Sequence, residues 1–151
     1  MYDRCLAGNE KALGRDHPST LVTVNNLGNL YKDQGCLADA EKMYERSLAG
    51  KEKTLGRDHP STLDTVYSHG LLFIDQGRLS DAERMLERAL AGREEALGQD
   101  HASTLDTVRV LGNVYRTQGR LVDAEKLMRN YDLSYSQTTF QVRDASSSIS
   151  D

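Results

Sequence analysis

The segment LGRDHPSTL at residues 13–21 returns unchanged at 55–63 and as LGQDHASTL at 97–105, so Gly14, Gly56 and Gly98 stand 42 residues apart twice over. Repetition at that period constrains the fold more than any other property of the chain, because each unit must be one supersecondary element stacked on copies of itself. The residues between the anchors keep the register. NLGNLYKDQGCLADAEKMYERSLAG at 26–50 aligns with HGLLFIDQGRLSDAERMLERALAG at 69–92, beginning one position later, and with LGNVYRTQGRLVDAEKLM at 111–128. The opening MYDRCLAGNEKALG matches MYERSLAGKEKTLG at 43–56, which places the first residues within a unit.

Apolar residues in each unit recur at threes and fours, the helical rather than the strand period. Leu21, Val24, Leu27, Leu30 and Tyr31 form one stripe, with a looser counterpart in Leu63, Val66, Leu71 and Phe73, and a Gln-Gly pair then interrupts. A second stripe follows: Leu37, Ala40, Tyr44, Ser47 and Leu48, repeated as Leu79, Ala82, Leu86, Ala89 and Leu90. Lys, Arg and Glu fill the opposite side, as on a solvated helix face. Each unit is therefore expected to be a helical hairpin turning at Gly35, Gly77 or Gly119, and the fold an all-α solenoid of such hairpins. The expected divisions are a second helix alone at 1–14, copies at 15–56, 57–98 and 99–133, and a polar tail at 134–151 expected to be mobile. Gly28, Gly70 and Gly112 fall in the middle of a first helix, where glycine costs roughly 1 kcal/mol against alanine. Close approach to Ala40, Ala82 and Ala124 is the expected compensation.

An aspartate beside a histidine can orient an imidazole for proton transfer or help bind a metal. Here the three Asp-His pairs stand a full unit apart in the connections between hairpins, too dispersed to converge. Architecture is the simpler reading. Gly14 and Gly56 suit a left-handed helix end, Pro18 and Pro60 suit a first helical turn, and Asp16, Asp58, Ser19 and Ser61 are the candidate N-caps. Ala102 in place of proline leaves a competent helix start. A nucleophile, base and oxyanion donor would have to meet in one pocket, whereas every Asp, Glu, His and Ser here is accounted for by repeat position, and each glycine stands alone rather than in a phosphate loop. No catalytic residue, metal site or cofactor is expected, and the chain is read as non-enzymatic. His69, in the register of Leu27 and Leu111, is read as a hydrogen-bonded core histidine rather than a ligand. Cys5 aligns with Ser47 and Ala89 and is expected to be buried; Cys36 aligns with Arg78 and Arg120 and is expected to be exposed.

Charge narrows the partners. With a net charge of −4 and basic residues scattered among acids, the chain has no basic stripe for nucleic acid and no cationic face for a membrane. LLFI at 71–74 is the longest strongly apolar run, far short of the roughly 20 residues that span a bilayer. The first residues lack a signal-peptide core, and two cysteines without metal-ligand spacing read as reduced thiols, so a cytoplasmic location is expected.

Counted from Leu21, Leu63 or Leu105, the units resemble the tetratricopeptide repeat. Leu27-Gly28, Tyr31, Gly35, Ala40 and Tyr44 fall where that motif has Leu-Gly, Tyr, a turn Gly, Ala and a large aromatic residue. The second copy supplies Gly70, Phe73, Gly77, Ala82, Leu86 and Ala89, and the third Leu111-Gly112, Tyr115, Gly119, Ala124 and Met128. The period and the LGxDHPxTL and NNLGxLYxxQG signatures resemble the kinesin light chain type, also found in fungal nucleotide-binding immune-like proteins. The resemblance covers residues 1 to about 130 and departs at His69, at Ala102 and after Met128.

The resemblance implies a protein-interaction scaffold whose concave face is formed by first helices. Carried onto this sequence, that face comprises Val22, Asn25, Asn29, Lys32 and Asp33, then Asp64, Tyr67, Leu71, Ile74 and Asp75, then Asp106, Arg109, Asn113, Arg116 and Thr117. Asn25, Asn29 and Asn113 are candidates to bond a peptide backbone, Lys32, Arg109 and Arg116 to pair with carboxylates, and Tyr67, Leu71 and Ile74 to seat an apolar side chain. The carboxylate clamp of chaperone-binding relatives is incomplete, so an internal peptide with a bulky apolar residue flanked by acids is the expected ligand. The rival reading is a structural spacer or oligomerisation segment. Apolar residues on the opening helix (Tyr2, Cys5, Leu6, Leu13) add an expectation of self-association through array ends.

Overall fold

The computed structural model describes residues 2–133, with side chains from Arg4 onward. The expectations for the Tyr2 side chain and for the 134–151 tail lie outside what is described. Seven helices and no strand occur among these residues: α1 (Tyr2–Leu13), α2 (Pro18–Asp33), α3 (Leu37–Thr54), α4 (Pro60–Asp75), α5 (Leu79–Leu97), α6 (Ala102–Thr117) and α7 (Leu121–Asn130). The expected all-α hairpins are therefore present. By compactness the chain divides into Met1–Gly92 and Arg93–Asp151.

Within each hairpin the turn is closed by the same backbone device. Gln34 ends α2 in a right-handed conformation, Gly35 follows at φ +80°, and Cys36 N–H reaches back to the Tyr31 carbonyl at 2.8 Å. A side chain at Gly35 would be strained by that left-handed geometry. Arg78 to Phe73 and Arg120 to Tyr115 repeat the bond, each at 2.8 Å.

Between hairpins the chain leaves a second helix through Gly14, Gly56 or Gly98, all at positive φ, and enters the next helix at residue 18, 60 or 102. The N-cap is the histidine, not the aspartate or serine expected from the sequence. Nδ1 of His17, His59 and His101 accepts the backbone N–H of Ser19, Ser61 and Ser103, at 3.1 Å in each case. An imidazole has an acceptor at the same reach as an Asx carbonyl, and the extended backbone of the histidine aims it at the first turn. Thr20 and Thr62 add a second tie, their hydroxyls donating to the Gly14 and Gly56 carbonyls at 2.7 and 2.8 Å.

The core of the first unit is built from the inner stripes. Ala40, Tyr44 and Leu72 cluster with Tyr31 and Leu37, and Leu48, Val66 and Ala89 cluster with Tyr67 and Met85. In the second unit Val108, Leu111, Val114, Ala124 and Met128 are fully or nearly fully buried. Each such Leu, Val or Met side chain contributes about 1.5–3 kcal/mol by leaving water. The mid-helix glycines do face a second helix, but what they approach is the residue four beyond the expected alanine. A Cβ on Gly28 would stand 2.9 Å from the Tyr44 ring, and one on Gly70 would stand 3.1 Å from Leu86. The glycine makes room for a large side chain; the alanine is packed elsewhere in the core.

A polar bridge with the same period, buried at Lys51 and Arg93, was not anticipated. Asn9, Lys51 and Arg93 share one register near the end of a second helix. Their side chains donate to the hydroxyls of Thr23, Thr65 and Thr107 at 3.0, 2.9 and 2.8 Å. Each also reaches the carbonyl of Ser19, Ser61 or Ser103 at 3.3–3.5 Å. Burial pushes the Lys51 amine below its ordinary range, with Asp64 pulling the other way. Three different donors make one tie between a second helix and the next first helix.

Two cysteine expectations divide. Cys36 is exposed as expected, but Cys5 is exposed too. Its counterpart Ser47 is covered by α2, whose Leu21 carbonyl accepts the Ser47 hydroxyl at 3.1 Å; among the described residues no helix covers Cys5 in the same way. On the same helix Leu13 is exposed and Leu6 partly so.

Candidate functional site

In the first unit, α2 and α4 lie side by side and carry the expected face. Two polar ties join them: the Thr65 hydroxyl donates to Asn25 Oδ1 at 3.0 Å, and Lys32 Nζ lies 3.6 Å from an Asp75 carboxylate oxygen. Because Lys51 donates to the same Thr65 hydroxyl, Asn25 ends a three-member chain that starts on α3. Asn29 accepts the phenolic O–H of Tyr44 on α3. Burial, then the nearby Asp33 and Asp75, push that phenol up to about 12, so it stays a donor. Two of the amides and the one lysine expected to meet a ligand are therefore also internal ties. The Lys32 pair is solvent-accessible, and such pairs contribute about 0–1 kcal/mol, so Lys32 can exchange Asp75 for another carboxylate at little cost.

Tyr67, Leu71 and Ile74 follow one another at helical spacing along α4, each partly exposed. Tyr67 also packs against the Leu48–Val66–Ala89 cluster, which fixes its ring. Among the residues expected on this face, these three supply the accessible apolar surface near its centre.

The second unit carries its own share of expected residues on α6. Arg109 donates to Asp106 one turn earlier at 3.3 Å, and Arg116 is half-buried and engaged. Asn113 Oδ1 is buried without a hydrogen-bond partner. A buried acceptor left unmade costs about 1–3 kcal/mol. Past α7, the Tyr131 hydroxyl donates to Glu94 Oε2 at 2.5 Å, which holds the Glu94 carboxyl below its usual range.

His69 corrects a further expectation. It is buried at 4% exposure, yet neither ring nitrogen has a hydrogen-bond partner. The ring stacks on Phe73 with centroids 4.3 Å apart and lies 6.0 Å from the Tyr44 ring. Burial depresses its basicity, with Glu41 opposing, so the imidazole is neutral near pH 7. On α3 the side chains of Glu41 and Glu45 approach it. The bond from Tyr44 to Asn29 and the Asn9–Lys51–Arg93 ties escaped the sequence reading, because the period gives register and not the partner across a helix pair.

Helical hairpins with glycine-ended turns, histidine caps and paired first helices define a helical-repeat scaffold. The sequence matches the tetratricopeptide repeat over residues 1–52, 19–95 and 65–129, and the chain belongs to that family. Among solved structures it is similar to the nearly identical TPR-like repeats of a Podosopora anserina protein assigned as a kinesin light chain. The identity is 26%, the TM-score 0.80, and the match covers 86% of this chain and 62% of that one. A second structure of the Podosopora anserina repeats, carrying one substitution, matches at 26% identity and TM-score 0.79, over 86% and 61%. BtubC (BKLC) from P. vanneervenii matches at 23% identity and TM-score 0.80, over 87% and 52%, and bears on the fold alone. The chain thus spans half to three-fifths of the length of these structures. A comparison with curated proteins returns no match. Tetratricopeptide repeats generally mediate protein–protein interaction, and the fold is typically non-enzymatic. No described helix is long and apolar enough to cross a membrane.

Proposed function

We propose that this chain is a protein-interaction module that takes an extended peptide on the first-helix face of α2 and α4. The observation that carries the reading is the partly exposed apolar line Tyr67–Leu71–Ile74 beside Asn25, Asn29 and Lys32. A bulky apolar side chain of the ligand sits on that line, and Tyr67, held by the core beneath it, is the anchor. Amide groups of Asn25 and Asn29 retain donors for a peptide carbonyl after their oxygens are used internally. An acidic flank displaces Asp75 from Lys32. Arg109, Asn113 and Arg116 give α6 the same type of chemistry in the second unit.

A spacer role is the competing reading, favoured by one specific observation: Asn25, Asn29 and Lys32 already have partners inside the fold. Selection from a peptide library discriminates the two. The binding reading expects enrichment of sequences with one large apolar residue flanked by Asp or Glu, lost with Tyr67→Ala and weakened with Lys32→Glu. A folded chain that enriches no sequence supports the spacer.

A further inference from the structure

We propose that Glu41, Glu45 and His69 form a site for a divalent cation of the zinc class, which would clamp α3 onto α4. One ligand atom from each of the three residues lies within 4.8 Å of the other two. Glu41 and Glu45 are four residues apart on α3 and so share one face. His69 projects from α4 against them, buried and with both ring nitrogens unpartnered. A neutral imidazole with a free nitrogen is the ligating form.

The repeat supplies an internal control. In the register of His69 the other copies have Leu27 and Leu111, so the second copy alone departs from an apolar residue, and it does so opposite two carboxylates. Stacking on Phe73 accounts for the ring but not for its two unpartnered nitrogens, which leucine, filling that register twice, does not place in the core.

The surroundings orient one of the two acids. Gln76 Nε2 donates to Glu41 Oε1 at 3.0 Å, and Arg78 Nη1 donates to its two oxygens at 2.9 and 3.2 Å. A carboxylate offers about four acceptor sites, so Glu41 keeps capacity for a metal while its outer partners fix its plane. Arg78 is itself held over the Phe73 ring, 4.4 Å from the centroid, on which His69 stacks. Zinc–ligand bonds of roughly 2.0–2.2 Å require the donors to close inward from their present spacing. Glu45, which is exposed, can supply much of that movement by a change of rotamer. One imidazole with two carboxylates is a mixed N/O set that suits zinc better than magnesium or calcium, and three protein ligands leave a fourth position for water.

The test uses the full chain stripped with chelator and then titrated with Co2+ and with Zn2+. The proposal expects a Co2+ d–d absorption band displaced by Zn2+, and a melting temperature that rises with Zn2+. His69→Leu, the residue of the other copies, should fold and melt at or above the metal-free parent while losing both responses. Glu41→Gln with Glu45→Gln should weaken binding by at least the roughly 10–100-fold that loss of an outer partner costs at established sites. His59→Ala, at an exposed cap histidine, should change neither response. No Zn2+-dependent shift in the parent, or a response undiminished in His69→Leu or in the double glutamine variant, overturns the site and leaves His69 as a packing residue.

Discussion

Asn29 in the first copy and Asn113 in the third hold the same register on a first helix, and one is paired while the other is not. Opposite Asn29, Tyr44 donates its phenolic O–H to the amide oxygen. In the register of Tyr44 the third copy has Met128, which has no donor, and Asn113 Oδ1 is buried unpaired. The second copy avoids the question with Leu71 and Leu86. The comparison teaches that an asparagine at this position is an internal tie where the second helix supplies a donor, as for Asn29, so a polar residue there is not by itself a ligand contact. It also separates two kinds of repetition. Turns repeat with the same cap bond in three copies, whereas the helix faces between them vary from copy to copy.

The largest expected effect is a change of sign under one substitution. Asn29→Leu leaves a buried phenol without an acceptor and should destabilise by about 1–3 kcal/mol, while Asn113→Leu removes an unpaired acceptor and should stabilise by about 1 kcal/mol. Urea unfolding of both variants measures this, and shifts of the same sign would break the comparison. Glycine to alanine sharpens it further. At Gly28 the added Cβ meets the rigid Tyr44 ring at 2.9 Å and Met43 Cβ at 3.2 Å, whereas at Gly112 it meets only the mobile Met128 Cε, the next atom being 3.9 Å away. Overpacking of about 1–3 kcal/mol should outweigh the helix-propensity gain at Gly28, and at Gly112 the gain of up to about 1 kcal/mol should survive.

The turns should not distinguish the copies. His17→Ala and His101→Ala each remove a cap acceptor and should cost about the same, within the roughly 0.5–2 kcal/mol usual for caps. Clearly unequal losses in thermal melts would carry the difference between copies into the turns. The smallest effect concerns the phenol that the third copy carries three residues later, at Tyr131. Its bond lowers the Glu94 pKa, so that contribution to stability is full above the unfolded carboxyl value of 4.5 and is lost as pH falls through the lower folded value. Tyr131→Phe should therefore reduce stability slightly at neutral pH and flatten its decline in acid. Glu94 is largely solvent-screened, so pH titration of the melting midpoint should register a difference of a few degrees at most.

Helices, hairpin turns and core stripes were readable because they follow from period and from residue class. Leu21, Val24, Ala40 and Leu48 declare themselves by spacing, and Gly35 by the interruption it makes. The errors share a cause. Asp16, Ser19 and His17 all carry an acceptor near one helix start, and only the backbone path decides that the imidazole points at the Ser19 N–H. Gly28 was matched to Ala40 rather than Tyr44 because helix crossing, not sequence distance, sets which residues meet. Asn25 and Lys32 have partners on the next first helix, and nothing in a stripe pattern announces Thr65 or Asp75. The same blindness hid His69, whose register said core while its partners, Phe73 on its own helix and Glu41 on another, gave it its character.

The account rests on assigning architecture to the turns and recognition to the face of α2 and α4. Amide chemical-shift mapping of the isotope-labelled chain, titrated with an acidic peptide bearing one bulky apolar residue, tests that assignment directly. Shifts should concentrate on α2 and α4 around Asn25, Asn29, Lys32, Tyr67, Leu71 and Ile74, and leave the 13–21 and 55–63 turns unmoved. Saturable shifts centred on those turns, or a spectrum unchanged by every peptide selected from the library, would contradict it.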